Sequence, residues 1–285
     1  MQTPKDLLRT YQIRPRKRLS QSFLIDANTV RKIVSAGAVG STDTVLEIGA
    51  GNGVMTRLLA AQAGQLIAVE IDEQLLPVLE DQLLTYPAAR IENADILKLN
   101  ISDISSRYGM KIKVMGNVPY HISTPLIFHL LAHRSAIDSF TLMLQEEVVD
   151  RLVSGPDCKP YGVPSVLLQM FAEVEKLFSV SAGCFSPRPK VQSAVMRGRF
   201  RKSPVVELAD EAFFSAIVKA AFAQRRKMLM NNLTQAVVLK TLSTARLRSC
   251  LDQAGIDGKR RGETLTLEEF GNLSNLLKKE IQCLD

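Results

Sequence analysis

The fold is decided by residues 44–53, which read Thr-Val-Leu-Glu-Ile-Gly-Ala-Gly-Asn-Gly. The apolar, β-branched start of this stretch predicts a short buried strand, and helical spacing of apolar residues begins at Val54. Glycines at alternate positions let the backbone turn tightly and approach a ligand closely, near the positive end of the following helix. The stretch therefore predicts a strand, a ligand-binding loop and a helix.

The alternation of strand and helix patterns continues along the chain. Further strand candidates are 66–70, 111–115 and 139–144, and helix candidates are 54–62 and 73–84. Strands separated by ~10–15 residues of helix form right-handed βαβ units, and hence a parallel sheet with helices on both faces. Longer alternating stretches between residues 166 and 200 predict antiparallel strands that close one edge of this sheet. The predicted fold class is an α/β, Rossmann-like sheet.

A different pattern follows Ser203-Pro204, which reads as a linker. Amphipathic spacing predicts helices at 211–233, 245–254 and 267–277, the last with the capping box Thr266-x-x-Glu269. We therefore predict three parts, namely a basic N-terminal arm (1–20), a catalytic domain (21–203) and a small, basic helical domain (204–285).

The composition excludes several classes of protein. The 285 residues are 46% hydrophobic and 23% charged, which is typical of a globular chain, and no apolar run approaches the ~18 residues of a membrane span. Four scattered cysteines and three histidines predict neither a disulfide framework nor a metal site. No apolar segment of a secretory signal follows the basic start, although an Arg-rich organelle presequence stays open. We expect a reduced, cytoplasmic protein that does not bind membranes.

The net charge of +7 is unevenly distributed. Residues 1–20 hold six basic and one acidic residue, residues 21–185 hold twelve and eighteen, and residues 186–285 hold eighteen and ten. Basic ends around an acidic middle suggest that both ends meet a polyanion such as nucleic acid, because Lys and Arg neutralise phosphates. Charge selected for solubility is the alternative interpretation.

Two acidic residues follow predicted strands. Glu70 ends the strand after the glycine loop, nineteen residues beyond Gly51, where a carboxylate can accept hydrogen bonds from both hydroxyls of a ribose. The glycine spacing differs from the G-x-G-x-x-G of dinucleotide folds and suits S-adenosylmethionine, which has a ribose but no pyrophosphate. Asp95 lies at the end of a third possible strand and can accept a hydrogen bond from an adenine amino group, although by itself it reads more simply as a helix N-cap.

The stretch Asn117-Val118-Pro119-Tyr120 follows the fourth predicted strand. An exocyclic base amino group is a poor nucleophile, because its lone pair is delocalised into the ring. An Asn side-chain oxygen and a backbone carbonyl can accept its two hydrogens and hold that lone pair toward an electrophilic methyl group, while Tyr stacks on the base. Orientation and charge stabilisation then suffice, without a metal. In isolation the same residues read as a turn.

Taken together, these motifs resemble the rRNA adenine N6,N6-dimethyltransferases, and most of all the bacterial small-subunit (16S) branch, whose loss gives kasugamycin resistance. The matching stretches are 21–24 (Gln-Ser-Phe-Leu), 47–53, Glu70, 94–96 (Ala-Asp-Ile), 117–120, 185–193 (Phe-Ser-Pro-Arg-Pro-Lys-Val-Gln-Ser) and 222–231 (Phe-Ala-Gln-Arg-Arg-Lys-Met-Leu-Met-Asn). They appear in the family's order, from about residue 10 to the C-terminus. The resemblance implies an S-adenosylmethionine-dependent methyltransferase sheet with a small helical C-terminal domain.

The resemblance also implies site residues. Those placed at the cofactor are Ser22, Leu24, Gly49, Gly51, Glu70, Asp95 and Asn117. Asn117 and the Val118 carbonyl would hold the adenine N6 amino group, with Tyr120 stacked on the base and Phe185 as a second aromatic wall. Ser22 stands where the family more often has Asn, so its contact is through either side chain or backbone. Val118 replaces the commoner Leu, which should change little.

Candidate RNA-binding residues are Arg188, Lys190, Arg225, Arg226 and Lys227. Residues 225–227 follow Phe222 and are either a solvated helix face or an anchor for RNA phosphates. Basic residues at 188–202 favour RNA contact. The implied partner is small-subunit rRNA or the assembling small ribosomal subunit. We expect the protein to be a monomer.

We therefore predict N6,N6-dimethylation of two adjacent adenosines in a hairpin near the 3' end of 16S rRNA, with a role in ribosome biogenesis. One alternative is a methyltransferase acting on large-subunit rRNA, of the macrolide-resistance type, or on DNA adenine. Another is a methyltransferase-like nucleic-acid-binding or assembly factor, as among mitochondrial transcription factors. The basic C-terminal region favours the first prediction, and an intact 117–120 motif favours activity.

Overall fold

The computed structural model describes residues 4–13, 15–16, 19 and 21–283. The helices are α1 (Pro4–Thr10), α2 (Ala27–Ala36), α3 (Val54–Ala60), α4 (Leu76–Leu83), α5 (Ile101–Tyr108), α6 (Ser123–Ala132), α7 (Glu146–Val153), α8 (Val163–Phe171), α9 (Glu211–Ala221), α10 (Leu229–Thr234), α11 (Thr244–Gln253) and α12 (Leu267–Gln282). The strands are β1 (Phe23–Leu24), β2 (Thr44–Ile48), β3 (Gln65–Glu70), β4 (Ala89–Asn93), β5 (Ile112–Asn117), β6 (Ile137–Gln145), β7 (Ala172–Val180), β8 (Phe185–Ser186) and β9 (Ser193–Phe200). Residues 1–3, 14, 17, 18 and 20 of the predicted basic arm lie outside the described residues.

Seven strands form the main sheet in the order β4-β3-β2-β5-β6-β9-β7. Strands β2 to β6 pair in parallel with their neighbours, and β9 runs antiparallel to β6. The predicted parallel sheet with an antiparallel edge is confirmed. With right-handed crossovers, which parallel strands almost always adopt, this order places α3 and α4 on one face and α6 on the other.

The order of the strands also locates a crevice. The chain runs outward from β2 to β4 and then returns to place β5 on the other side of β2. Ligands of open α/β sheets bind at such a switch point, at the carboxyl ends of the strands. The glycine loop follows β2 and Asn117 ends β5, so both lie at this edge. An added Cβ on Gly116 would lie 2.7 Å from the Ile48 backbone oxygen, so only glycine allows this close approach of β5 to β2.

A second, two-stranded sheet joins distant parts of the chain. In it β1 pairs antiparallel with β8, Phe23 opposite Ser186 and Leu24 opposite Phe185. Leu24 and Phe185 belong to one buried apolar cluster with Val30, Ile33 and Met115. This small sheet fixes the segment before α2 against the segment before β9.

The chain divides into two compact units, Met1–Val149 with Val174–Phe200, and Asp150–Glu173 with Arg201–Asp285. Our prediction assigned residues 150–173 to the catalytic domain, whereas they belong to the second unit. Residues 166–171 were also expected in a strand and lie in α8, which contacts α9 and α12. Because α8 is buried, nearly every side of it is apolar. The sequence therefore lacks the polar face whose helical spacing would have distinguished this helix from a strand. Among the described residues, no helix is both long and apolar enough to cross a membrane.

The helix predicted over 211–233 is two helices, α9 and α10, joined by a turn at residues 222–228. The buried Asn232 side chain explains the break, because its Nδ2 donates to the backbone oxygens of Ala221, at 2.8 Å, and Gln224, at 3.1 Å. These bonds satisfy carbonyls that a continuing helix would have used. The Phe222 ring also stacks on Phe270, with centroids 5.9 Å apart. The predicted capping box of α12 is confirmed.

Candidate active site

A cavity of about 200 Å³ lies at the carboxyl ends of β2, β3 and β5. Among the residues that line it are Ser22, Leu24, Gly49, Gly51, Glu70, Asp95, Asn117, Val118, Tyr120 and Phe185. The structure thus brings together in one cavity all the residues that we predicted for the cofactor and for the target base. Their individual roles stay predictions.

The glycine loop has the backbone that its sequence predicts. Gly49, Gly51 and Gly53 have φ angles of 69°, 59° and 76°, in the left-handed region that side chains rarely adopt. An added Cβ on Gly49 would lie 3.3 Å from the Asn117 backbone oxygen. The loop therefore needs glycine both for its conformation and for its close approach to the end of β5.

Glu70 lies at the end of β3 and is only 6% exposed. Its carboxylate accepts hydrogen bonds from the backbone N–H of Gly51 and of Asp72, each at 2.9 Å. Burial raises the pKa of Glu70, and these two hydrogen bonds oppose the increase. A carboxylate oxygen has more than one acceptor site, so this carboxylate can also accept hydrogen bonds from ligand hydroxyls.

Asp72 lies next to this site and was missed by sequence reasoning. Its side chain is 1% exposed and forms an ion pair with Arg16, with 2.8 Å between Nη1 and Oδ1. Asp72 also accepts a hydrogen bond from Gln21 Nε2 at 2.7 Å, and Gln21 Oε1 accepts one from the Arg16 backbone N–H. These contacts fix the segment before Ser22 at the cavity. In the sequence, Arg16 is one of several basic residues of the N-terminal arm. Its ion pair with Asp72 is visible only in the structure.

Ser22 and Asn117 face each other across the cavity wall. Asn117 Nδ2 donates to the Ser22 backbone oxygen at 3.4 Å, and the Ser22 hydroxyl donates to the Pro187 backbone oxygen at 2.6 Å. The Ser22 side chain is therefore hydrogen-bonded to Pro187, and the Ser22 backbone oxygen is hydrogen-bonded to Asn117. Because the Asn117 amide nitrogen points to Ser22, Oδ1 is the amide atom that can accept from a ligand.

Asp95 has the capping role that its sequence suggested, and it also lies at the cavity. Oδ1 accepts a hydrogen bond from the Leu97 backbone N–H at 3.0 Å, which caps the short 3₁₀ turn Ile96–Lys98. The residue also lines the cavity. The capping role does not remove Asp95 from the proposed contact with a base.

Glu47, the acid that opens the glycine motif, is fully buried. Within the described part of the chain, neither of its carboxylate oxygens has a hydrogen-bond partner. Burial raises the pKa of Glu47 to about 8, and the negative charge of Glu70 adds to the increase. Near neutral pH this side chain is therefore mostly a neutral acid beneath the loop.

Replacing Glu47 with Gln should flatten the pH dependence of stability. The folded state keeps a proton that the unfolded chain releases above its ordinary pKa of 4.5, so stability falls as pH rises toward about 8. The loss is up to about 1.4 kcal/mol per pH unit. Urea unfolding at pH 6 and pH 7 should show this loss in the wild type and in Glu80→Gln, and a smaller loss in Glu47→Gln. Equal pH slopes in all three proteins would contradict a protonated Glu47.

The candidate RNA-binding residues fall into two sets. Arg188 and Lys190 are exposed between β8 and β9, and Arg226 and Lys227 are exposed in the turn at 222–228. Residues 225–227 lie in a turn and not on a helix face, so the alternative to RNA contact is a solvated turn. Arg225 differs from its neighbours, since Nη2 donates to the backbone oxygen of Lys159 at 2.8 Å and pairs with Glu263 at 2.9 Å.

The arginines at 197–201, which favoured RNA contact in the sequence, each have an acidic partner. Arg197 pairs with Glu175 at 2.6 Å, Arg199 with Asp138 at 3.5 Å, and Arg201 with Glu173 at 2.8 Å. These charges are largely neutralised within the protein, so they support RNA binding less than the sequence suggested.

The cavity fits S-adenosylmethionine on observations of this structure. Glu70 offers a carboxylate for a ribose, and Asn52 Nδ2 is a buried donor in the loop with no partner among the described residues. With the glycine loop after β2 and the Asn-x-Pro-Tyr motif after β5, the fold and site define a Rossmann-like, S-adenosylmethionine-dependent methyltransferase. The chain matches the ribosomal RNA adenine dimethylase family over residues 13–273, and it belongs to that family.

Comparison with individual proteins agrees with this assignment. A relative from Bacillus mycoides (strain KBAB4), named ribosomal RNA small subunit methyltransferase A, is 42% identical over 276 residues, or 96% of this chain and 94% of the relative. A protein of the same name from Bacillus cereus (strain AH187) gives the same values. The resemblance found in the sequence is therefore confirmed, and the protein is an rRNA adenine methyltransferase.

Solved structures share the fold. The crystal structure of a dimethyladenosine transferase from Plasmodium falciparum has a TM-score of 0.78 at 24% identity, covering 88% of this chain and 95% of that one. The crystal structure of the 23S rRNA methyltransferase ErmE has a TM-score of 0.70 at 27% identity, covering 90% of this chain and 99% of that one. The fold is thus shared by an enzyme named for dimethyladenosine and by one named for 23S rRNA.

Proposed function

We propose that this protein transfers methyl groups from S-adenosylmethionine to N6 of two adjacent adenosines in a hairpin near the 3' end of 16S rRNA. The observation that carries the chemistry is the placement of Asn117, whose Nδ2 is bonded to the Ser22 carbonyl in the cavity that also holds Glu70. The names of the 42% identical relatives support the small subunit as the target.

S-adenosylmethionine supplies a methyl group carried on a cationic sulfur atom. Glu70 would accept hydrogen bonds from the ribose hydroxyls, and Asp95 would accept one from the adenine of the cofactor. Asn117 Oδ1 and the Val118 backbone oxygen accept the two N6 hydrogens of the target base, which turns the nitrogen lone pair toward the methyl group. The same oxygens would stabilise the positive charge that develops on N6 as the bond from N6 to the methyl carbon forms and the bond from sulfur to that carbon breaks. N6 then loses one proton to solvent, which leaves the methylated base neutral. Tyr120 and Phe185 form apolar walls that hold the base and exclude water.

The position of Asn117 is fixed by the backbone before the substrate arrives. The Val118 backbone N–H donates to the Met143 backbone oxygen at 3.1 Å, which ties the motif to β6. Val118 itself is buried. Acceptors held in place in this way need no reorganisation during the reaction, which is the condition for effective charge stabilisation.

Arg226 and Lys227 are proposed to contact RNA phosphates. Replacing both with Ala should weaken RNA binding and lower the slope of log affinity against log salt by about 0.7–0.9 for each lost contact. Binding to small-subunit rRNA would be titrated at several salt concentrations, and cofactor affinity should not change. Arg246→Ala is the matched control, because Arg246 is exposed in the same unit and pairs with Glu280 at 2.8 Å.

Arg225 needs a separate test. Arg225 binds the Lys159 carbonyl and Glu263, so Arg225→Ala should lower the thermal stability of the protein. If all three basic residues were replaced together, this loss of stability could not be told apart from a loss of RNA contacts. An unchanged salt slope in the Arg226, Lys227 double variant would show that these two charges do not meet phosphates.

The choice of subunit is tested by incubating the protein with labelled S-adenosylmethionine and with small or large subunits that lack the modification. Mapping should find label on adjacent adenosines of the small subunit. Label on the large subunit alone would support the alternative function of the macrolide-resistance type, and RNA binding without label would support an assembly factor. We further propose that the protein acts in the cytoplasm on the assembling subunit. Its monomeric state stays a prediction, which light scattering would check.

A further inference from the structure

The hydroxyl of Tyr120 has a hydrogen-bond partner within the protein. Tyr120 Oη lies 2.8 Å from the hydroxyl oxygen of Ser193, a hydrogen-bond distance between residues 73 positions apart in the chain. Ser193 is the first residue of β9 and lies opposite Gln145 of β6. Its exposure is 0%, so water does not compete for this bond.

The backbone of Tyr120 is fixed independently of this bond. The Ser123 hydroxyl donates to the Tyr120 backbone oxygen at 3.0 Å, and the Ile122 N–H donates to the Pro119 backbone oxygen at 3.1 Å. These contacts hold the backbone but leave open the direction of the side chain about its Cα–Cβ bond, and the torsion next to the ring has only a broad preference. The bond to Ser193 holds the Tyr120 oxygen in place and so fixes the direction in which the ring points. Because a phenolic oxygen forms hydrogen bonds close to the plane of its ring, the bond also favours one orientation of that plane.

We propose that Ser193 is a positioning residue for methyl transfer, which holds the Tyr120 ring so that its face forms one wall of the site for the target base. This inference rests on the proposed function, since it assigns the role of a second residue at the same base site. Ser193 itself touches no reacting atom. The engaged hydroxyl also leaves the face of the ring, rather than its oxygen, as the surface that Tyr120 offers to a base.

The arrangement has a direct chemical consequence. A base that stacks on a fixed ring meets Asn117 Oδ1 in one orientation, whereas a rotating ring lets the base tilt away from the two acceptors. Small errors of position cost much of the rate when orientation is the main source of catalysis. Losing the bond should therefore slow transfer more than it weakens the binding of RNA, whose affinity comes mainly from phosphate contacts.

The test is a double-mutant cycle between Ser193→Ala and Tyr120→Phe. Each variant removes one partner of the bond, and each should lower the single-turnover rate on unmodified small subunits about 5- to 10-fold, in line with the loss of one hydrogen bond. The double variant should be no slower than either single variant, because a bond can be lost only once. The affinity for S-adenosylmethionine and for rRNA should stay as in the wild type. Ser274→Ala, a buried serine of the second unit, is the control and should keep the wild-type rate.

The outcomes separate this inference from the proposed function. If the wild type methylates small subunits but both single variants match its rate, or if their losses multiply in the double variant, the positioning role is overturned. If the wild type methylates no small subunit, the proposed function fails and the inference fails with it. Circular dichroism checks folding, and should Ser193→Ala not fold, Tyr120→Phe alone decides, because it removes only the hydroxyl.

Discussion

Replacing Asn117 with Ala should lower the single-turnover rate of methylation by a factor on the order of 10²–10³, the loss typical of removing one preorganised polar partner. Its Oδ1 acts mainly in the transition state, when N6 becomes tetrahedral and its hydrogens become more acidic. Cofactor affinity should change little, because Asn117 faces the base more than the ribose. RNA affinity should also persist, because phosphate contacts dominate it. Single-turnover measurement reports the chemistry without product release.

Two variants control this prediction. Asn117→Asp keeps an acceptor but loses the amide hydrogen that bonds to the Ser22 carbonyl, and it adds a charge beside the sulfonium. Its rate should lie between those of the wild type and Asn117→Ala if acceptor geometry matters most. Asn28→Ala changes an exposed Asn in α2 and should have no effect. If Asn117→Ala methylates at the wild-type rate, the orientation mechanism is wrong and the motif is only a turn.

Replacing Glu70 with Ala should weaken the binding of S-adenosylmethionine about 10- to 100-fold, since a hydrogen bond to a charged group contributes about 1.5–3 kcal/mol. The ribose loses its acceptor, and the N–H groups of Gly51 and Asp72 lose theirs as well. Isothermal titration calorimetry measures the change directly. Glu73→Ala, an exposed acid three residues further on, should bind the cofactor normally.

Glu70→Gln distinguishes the two consequences of losing the carboxylate. Gln keeps one oxygen acceptor, but its NH₂ group would face one of two backbone donors. Thermal stability should therefore fall in Glu70→Gln as it does in Glu70→Ala. The loss of cofactor affinity should be smaller in Glu70→Gln than in Glu70→Ala. Wild-type affinity in Glu70→Ala would mean that Glu70 is not the ribose acceptor.

The residues that sequence reasoning found at the site obey local rules. The glycines at 49–53 and the acid at Glu70 are set by a strand, a tight turn and the next strand end, so a short stretch of sequence contains the whole signal. The sheet follows from the same local patterns together with the handedness of βαβ units. For this reason the fold and the part of the cavity wall around the glycine loop could be predicted from local patterns, whereas Ser22, Leu24 and Phe185 were expected only from the family resemblance.

What the sequence did not reveal depends on side chains that meet across long separations. Asp72 meets Gln21, 51 positions away, and Tyr120 meets Ser193, and neither pair has a spacing that a pattern could detect. The break before α10 also depends on such a contact, because Asn232 reaches back to Ala221. Helix propensity alone continues the helix through residues 222–228, where these tertiary contacts stop it.

The pairing of β1 with β8 has a consequence for how the enzyme is made. The bond from Ser22 to Pro187 joins residues 165 positions apart, so the wall of the cavity is complete only when both ends of that span exist. A nascent chain on the ribosome acquires β2 to β6 before it acquires Phe185. Such a chain already has the parallel strands of its sheet, but we expect it to bind the cofactor less tightly than the finished enzyme until residue 187 has emerged from the exit tunnel.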